Sequence, residues 1–386
     1  MKRTVIPVFL AFLAFVCLVP SGFAAAPAAA PKNVVLMDAK TGKSFVPLSF
    51  LKGFDGAAAQ WTDANKQIDI TDGEKLLTLF VGKTAAQKDG APVTISDAPF
   101  SENGTTYIPL QFVSEALGYS LEWSKNPSSV SISRGNAKAS LPAITRGSVT
   151  NGAAPIVSAS KTFKVGGKSI SAQMITISLM HPKIKLDVVL AGDKVGKVEN
   201  LSSIAKRSKA TVAINGTFFD AYTKDSYKAP YGYIVSNGEL RMKASGDKRT
   251  IFTYDNNLLA DLIPGADFNE HFNQGSIQGA LQAGPRLLVD GKVSLDVKAE
   301  GFKDPKILTG GGARSALGLT RDHKLILLTT GGATIPQLAE MMKQAGAYQA
   351  MNLDGGASSG LYYNGKYLTT PGRQISNALV VKFKYQ

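Results

Sequence analysis

The chain has 386 residues, one cysteine, and 43 Lys plus Arg against 29 Asp plus Glu, a formal charge of +14. One cysteine excludes a disulfide-stapled scaffold, and the length exceeds what one typical hydrophobic core covers, so two domains are expected. The basic balance suits an anionic partner. The lysines are dispersed and no nucleic-acid-binding motif occurs, so the expected partners are anionic phosphate-containing glycans and cell-wall polymers, not DNA or RNA.

Lys2 and Arg3 precede an apolar stretch from Val5 to Val19, and small residues follow in Ser21-Gly-Phe-Ala-Ala-Ala26. This pattern predicts a secretory signal peptide over 1–26. The run is shorter than the ~20 residues of a spanning helix, and no other stretch is long enough, so no transmembrane anchor is expected. Cys17 follows Phe15 and Val16, a poor lipoprotein signal, and no sortase motif occurs. A secreted or wall-associated protein is expected, with a cysteine-free mature chain whose charge falls from +14 to +12 as Lys2 and Arg3 leave.

The next hundred residues contain an internal repeat. Phe45-Val-Pro-Leu-Ser-Phe50 recurs as Tyr107-Ile-Pro-Leu-Gln-Phe112, and the same offset of 62 maps Trp61 onto Trp123 and Ile68 and Ile70 onto Val130 and Ile132. Each copy predicts a strand ending in Pro-Leu, a short helix, a Trp-bearing strand and an alternating strand, Gln67–Thr71 or Ser129–Ser133. In the second copy the helix Gln111–Leu117 stops at Gly118, suited to a left-handed cap. The tryptophans and Tyr107 could stack on sugars, but their fixed place in each copy favours core packing. Residues 33–134 resemble the copper amine oxidase N-terminal-like stalk module; the resemblance implies a spacer or wall-associating role and no copper, since no His falls in this stretch. Residues 135–160, rich in Ala, Ser, Pro, Gly and Asn, read as a linker.

From Lys161 onward β-type runs dominate: 173–179, 185–190, 210–214, 324–330 and 378–383. They predict a large mixed sheet and an α+β class, with few helices in this part and a small α+β stalk before it. One helix is well specified over 334–345, with Thr334 and Gln337 as a capping box, Pro336 early, and Gly346 as terminator. Leu338, Met341, Met342 and Ala345 form its apolar stripe. Asp354 then closes a strand-helix-strand unit, Lys324 to Leu353.

Asp354 is followed by two glycines and, after Ala357, two serines. Three other strand ends run into glycine-flanked polar residues: Ile214-Asn-Gly-Thr-Phe-Phe-Asp220, Gln282-Ala-Gly-Pro-Arg286 and Gly310–Gly318, which holds Arg314. Each alone reads as a turn; four together predict a shared pocket. Gly356-Ala-Ser-Ser-Gly360 matches the G-x-S-x-G nucleophile pattern, but no His, Asp or Glu follows Ser358, and an Asn364-Gly365 hairpin does, so serine hydrolysis is excluded. His181, His271 and His323 lack metal-ligand spacing, and no metal or other cofactor is expected.

Asn215-Gly-Thr-Phe-Phe, Ala283-Gly-Pro, Arg314-Ser-Ala-Leu-Gly, Asn352-Leu-Asp-Gly-Gly-Ala-Ser-Ser and Pro371-Gly-Arg-Gln-Ile-Ser-Asn377 resemble, in order, the motifs of the phosphodiester glycosidase family. The match spans roughly 161–386. Thr217 stands where animal members have glycine, and Thr330-Gly331 where they have Asp-Gly. The resemblance implies cleavage at the anomeric carbon of a sugar 1-phosphodiester, through an oxocarbenium-like state that a carboxylate stabilises, attacks, or relieves by activating water. The leaving phosphate ester is a weak base, so arginines holding it matter more than a strong general acid.

Asp354 with Arg314 and Arg373 fits this division of labour. Asn215 is expected to fix sugar hydroxyls, and Ser358 and Ser359, with the backbone of Gly355 and Gly356, to hold phosphate oxygens. Gln282 and Phe219 are further candidates to contact substrate. Asp220, Glu300 and Asp247 are candidates for a second acid. The expected function is that of an exported hydrolase of glycosyl phosphodiesters in wall or extracellular glycans. Its rivals are a non-catalytic wall-glycan-binding protein and, more weakly, a metal-dependent phosphodiesterase.

Overall fold

The computed structural model describes residues 32–149, 154–246 and 248–383. The expected signal peptide, Cys17 and Asp247 lie outside the described residues. No helix among the described residues is long and apolar enough to cross a membrane.

Residues from Val35 to Thr145 build a seven-stranded and a five-stranded sheet around one apolar cluster that includes Val46, Ile68, Ile70, Ile108, Val130 and Ile132. The repeat is visible in the strand pairing. Ser44–Pro47 and Thr105–Pro109 run antiparallel, with Phe45 opposite Pro109, Val46 opposite Ile108 and Pro47 opposite Tyr107, so the two copies clasp through equivalent residues. The second-copy helix is Leu110–Leu117, and Gly118 ends it in the left-handed region at φ +77°. Arg134 and its counterpart one offset earlier, Asp72, form an ion pair at 2.6 Å that holds the Asp72 carboxyl down at about 2.

Two expectations are corrected in this part. The tryptophans are not core: Trp61 is 37% and Trp123 45% exposed. Each sits beside a buried residue of the next strand, Ile68 or Val130, but on the outermost strand of its sheet, which leaves one flank open to water. The stretch read as a linker is largely sheet. Ala137–Thr145 pairs antiparallel with Ser128–Arg134 and parallel with Val35–Met37, and Ile156–Val165 opens the next sheet. Pairing on both sides outweighs the weak strand preference of Ala, Ser and Pro.

The rest of the chain is α+β, as the sequence predicts, with its strands in three sheets. The seven-stranded sheet has the order Ile156–Val165, Lys168–Ser178, Lys324–Ala333, Gly312–Leu319, Gln349–Asn352, Arg286–Val289, Lys292–Val293. A five-stranded sheet, Ile184–Leu190, Asn377–Phe383, Val212–Asn215, Leu361–Tyr363, Lys366–Thr369, contributes Val188, Val212, Ile214, Leu379 and Val381 to a core shared with Ile175, Ile177, Leu317 and Leu327. The other five-stranded sheet adds Ile234, Phe252 and Leu281 to the same cluster. Neighbouring strands in all three sheets pair antiparallel, where the β-type runs predict one large mixed sheet.

Helix Ile335–Gln344 covers the opposite face of the seven-stranded sheet with Leu338, Met341 and Met342. Its capping box forms as predicted: Thr334 Oγ1 accepts from the Gln337 N–H, and the Thr334 N–H donates to Gln337 Oε1 at 2.9 Å. The strand-helix-strand unit thus delivers Asn352 and Asp354 to a sheet edge where Asn215, Gln282 and Ala333 also end their strands.

Candidate active site

Asn215, buried at the end of Val212–Asn215, is the hub of this edge. Its Nδ2 donates to the Asp354 carbonyl at 2.7 Å, and its Oδ1 accepts from Ser315 Oγ at 2.7 Å and the Gly360 N–H at 3.0 Å. The Asp354 N–H donates to the Gly216 carbonyl at 3.1 Å. Gly216 also lets Asn377 come close: a β-carbon there would lie 2.1 Å from Asn377 Oδ1, which accepts from the Thr217 N–H at 3.0 Å. Asn352 joins the Gln282–Arg286 stretch by accepting from the Gly284 N–H at 2.9 Å and donating through Nδ2 to the Gly284 carbonyl at 2.8 Å. All four glycine-flanked stretches therefore meet around the Asp354 turn.

The Asp354 carboxyl is half-buried, and burial pushes its pKa up to about 7 against three opposing influences: the Ser358 hydroxyl, the Gly355 N–H and the charge of Arg373. Such a group changes charge near neutral pH, a property of reacting carboxyls. Arg373 donates through Nη2 to the Tyr222 hydroxyl at 2.9 Å and lies 4.8 Å from that ring. Tyr222 is 81% exposed, and its hydroxyl is drawn below its usual range first by Arg373 and also by Lys306, while Asp354 opposes. A carboxyl, two cations and an aromatic ring thus gather at one rim.

Arg314 is buried behind this turn. Its Nε donates to the Ala333 carbonyl at 3.0 Å and its Nη2 to the carbonyls of Lys306 and Gly310; Nη1 would lie 3.5 Å from a β-carbon on Gly355. Three buried oxygens in this neighbourhood have no partner among the described residues: Thr217 Oγ1, Asn352 Oδ1 and Ser359 Oγ. An orphaned buried polar atom costs about 1–3 kcal/mol, so three beside one turn suit groups that a ligand or solvent brings.

Some expected roles change with this geometry. The motif predicts that Asn215 fixes sugar hydroxyls, yet its amide is committed to protein and it clamps the turn. The Ser358 hydroxyl is given to Asp354 instead of standing free for phosphate. Gly356 is exposed and left-handed at φ +60°, and Gly355 supplies its N–H to Asp354.

Glu300 and Gln282 line a neighbouring cavity of about 440 Å3 with Tyr231, Lys248 and Arg249. Glu300 Oε2 accepts from the Thr250 N–H at 3.0 Å and Thr250 Oγ1 at 3.2 Å, and Oε1 from the Arg286 N–H at 2.6 Å. Burial still raises its pKa, more than these bonds and Arg286 lower it. The Gln282 amide is held by the Tyr233 N–H and the Arg249 carbonyl. Asp220 accepts from the Thr223 N–H at 3.1 Å and meets the Tyr231 hydroxyl. Phe219 is buried and bridges to Pro230.

Nothing in the sequence singles out Tyr222 or Lys306. Tyr222 lies in a polar loop without periodicity, and only its closeness to Arg373, 151 residues away, marks it. Asn352 and Asn377 lie inside the glycosidase-like motifs, and asparagine at a strand end is the sequence signal that marks them.

Residues 208–382 match the phosphodiester glycosidase family model and residues 33–132 the copper amine oxidase N-terminal domain model. The chain therefore joins a phosphodiester glycosidase domain to a copper amine oxidase N-terminal domain. No curated protein matches it. Among solved structures, a hypothetical protein from Synechocystis is similar at TM-score 0.53 and 15% identity, over 91% of this chain and 96% of that one. The catalytic domain of zebrafish N-acetylglucosamine-1-phosphodiester alpha-N-acetylglucosaminidase, auto-inhibited by its pro-peptide, is similar at TM-score 0.52 and 19% identity, over 61% of this chain and 86% of that one. At these identities the likeness is one of fold.

Proposed function

We propose that the C-terminal domain hydrolyses the glycosidic bond of sugar 1-phosphodiesters in an extracellular or wall glycan, and that the protein is exported to meet it. The observation that carries this reading is the half-buried Asp354 carboxyl, with a pKa near 7, facing the charge of Arg373 at a rim shared with Tyr222 and Lys306. The family match supports the bond type, and the zebrafish protein's name indicates which diester to try first. The signal-like first 26 residues and the excess of positive charge support export and an anionic substrate.

In this mechanism the phosphate lies between Arg373 and Lys306, with Arg314 Nη1 as a further donor, and the sugar rests its apolar face on Tyr222. The ionised Asp354 carboxylate stands beside the anomeric carbon. As the bond from that carbon to the phosphate oxygen breaks, the electron pair leaves with the phosphate monoester and the cationic arginine and lysine stabilise it. The carboxylate stabilises the oxocarbenium-like centre that remains; water then adds to it, its oxygen completing the free sugar and its proton passing to the Asp354 carboxylate. The Ser358 hydroxyl and Gly355 N–H hold the carboxylate in place, and Asn215 fixes the turn beneath it.

The test is turnover of a panel of sugar 1-phosphodiesters in oxygen-labelled water, with Asp354→Asn as control. Label in the released sugar, and its loss in the variant, supports the reading. Label in the phosphate means cleavage at phosphorus and sinks it.

A further inference from the structure

The two copies of the stalk repeat differ in a way that points to a second binding site. Trp61 and Trp123 are equivalent and both partly exposed, but two residues beyond each the chemistry inverts. Trp61 is followed by Asp63, which accepts a hydrogen bond from its indole N–H; one offset later, Trp123 is followed by Lys125. Trp123 and Lys125 line a groove of about 520 Å3 together with Arg321 and Lys324 of the glycosidase domain and with Met37 and Met180. Lys324 is paired with Asp322 at 2.7 Å, whereas neither Lys125 nor Arg321 is in an ion pair among the described residues.

The groove walls are bolted together. His323 Nε2 lies 2.7 Å from the Ser128 carbonyl and 3.3 Å from that of Ala143, Asn126 Nδ2 donates to the Tyr348 hydroxyl at 2.9 Å, and Arg321 packs 4.2 Å over the Tyr348 ring. A half-exposed indole, two unpaired cations and fixed walls form a preorganised site for a ligand that offers an apolar ring face and a negative charge.

We propose that this groove binds a phosphate-bearing glycan chain, a sugar ring stacking on Trp123 and a phosphate held by Lys125 and Arg321, apart from the Asp354 site. The choice of glycan rests on the reading of the catalytic domain, since the charge and the ring alone define only the chemistry. Such a site would tether a polymer that the Asp354 site cleaves. The first repeat lacks the same property because Asp63 stands at its Trp.

The test is binding of a linear hexose-phosphate polymer to the intact chain by calorimetry, with dextran of equal length and single-stranded DNA as comparators. Trp123→Ala should weaken polymer binding about tenfold, Trp123→Phe should largely keep it, and Trp61→Ala should leave it unchanged. The Lys125→Gln, Arg321→Gln pair should weaken binding and flatten its salt dependence. Unchanged binding in both Trp123→Ala and the double variant overturns the proposal. Equal affinity for dextran, or for DNA, overturns it as well, because the site would then be a neutral-sugar platform or a plain cationic patch. Turnover of a small diester should be the same in Trp123→Ala as in the parent. If no variant and no parent turns over any diester, the catalytic reading fails while the binding result stands by itself.

Discussion

Asp354 and Glu300 are both acids beside glycines, both with pKa values raised by burial, and they belong to different kinds of local structure. Glu300 receives two backbone N–H groups and a hydroxyl, and a β-carbon on the left-handed Gly284 would come within 2.7 Å of its Oε2. Asp354 has one hydroxyl and one N–H, with a cation, an aromatic ring and unpartnered buried oxygens nearby. The difference teaches that a raised pKa does not by itself mark a reacting acid. A saturated carboxylate ties strands and loops together; an under-satisfied one at a rim has capacity left for substrate.

The largest effect that sharpens this contrast is expected from Asp354→Asn: kcat on a sugar 1-phosphodiester should fall about 1,000-fold or more, with the fold retained by circular dichroism. Glu300→Ala should do the reverse, lowering the unfolding free energy by about 3 kcal/mol in urea titration while changing the activity per folded molecule less than tenfold. A Glu300→Ala protein of normal stability that has lost turnover would break the comparison and make Glu300 the second acid. Arg373→Gln should raise KM about 30-fold through the lost phosphate contact, more than it lowers kcat.

The smallest expected effect is in pH dependence. If the ionised carboxylate acts, kcat/KM should rise about tenfold per unit below pH 7 and level off above it. Stability should move the other way. Burial lifts the Asp354 pKa from its ordinary 3.8 to about 7, so the native state holds more protons than the unfolded state in that window, and the stability contributed by the neutral acid is lost as pH rises through it. The drop in thermal midpoint between pH 4 and pH 7 should shrink in Asp354→Asn; an identical pH profile in the variant would remove Asp354 as its cause.

Much of the fold was legible because its signals are local. Thr334, Pro336 and Gln337 lie within one turn of each other, and the repeat that places Val46 against Ile108 is written as two similar strings. The strand Ala137–Thr145 was not legible, since its side chains are weak strand formers and its neighbours in the sheet lie both just before it and a hundred residues earlier. The tryptophans misled for a related reason: periodicity gives the face of a strand, while exposure also depends on whether another strand lies alongside. At the site, Asp354, Arg314 and Arg373 stood out by residue type and motif, but Tyr222 and Lys306 did not.

The sequence by itself determined the repeat, the caps, the apolar faces and the motifs that carry the glycosidase resemblance, because each depends on residues within a few positions or on a copied string. Tertiary structure alone decided which polar groups are already spent. Asn215 is committed by Asp354, 139 residues away, and by Ser315, 100 residues away; Glu300 is saturated by Thr250, 50 residues away. Hydrogen-bonding capacity is consumed by whatever lies within about 3 Å, and only the folded chain fixes which groups those are.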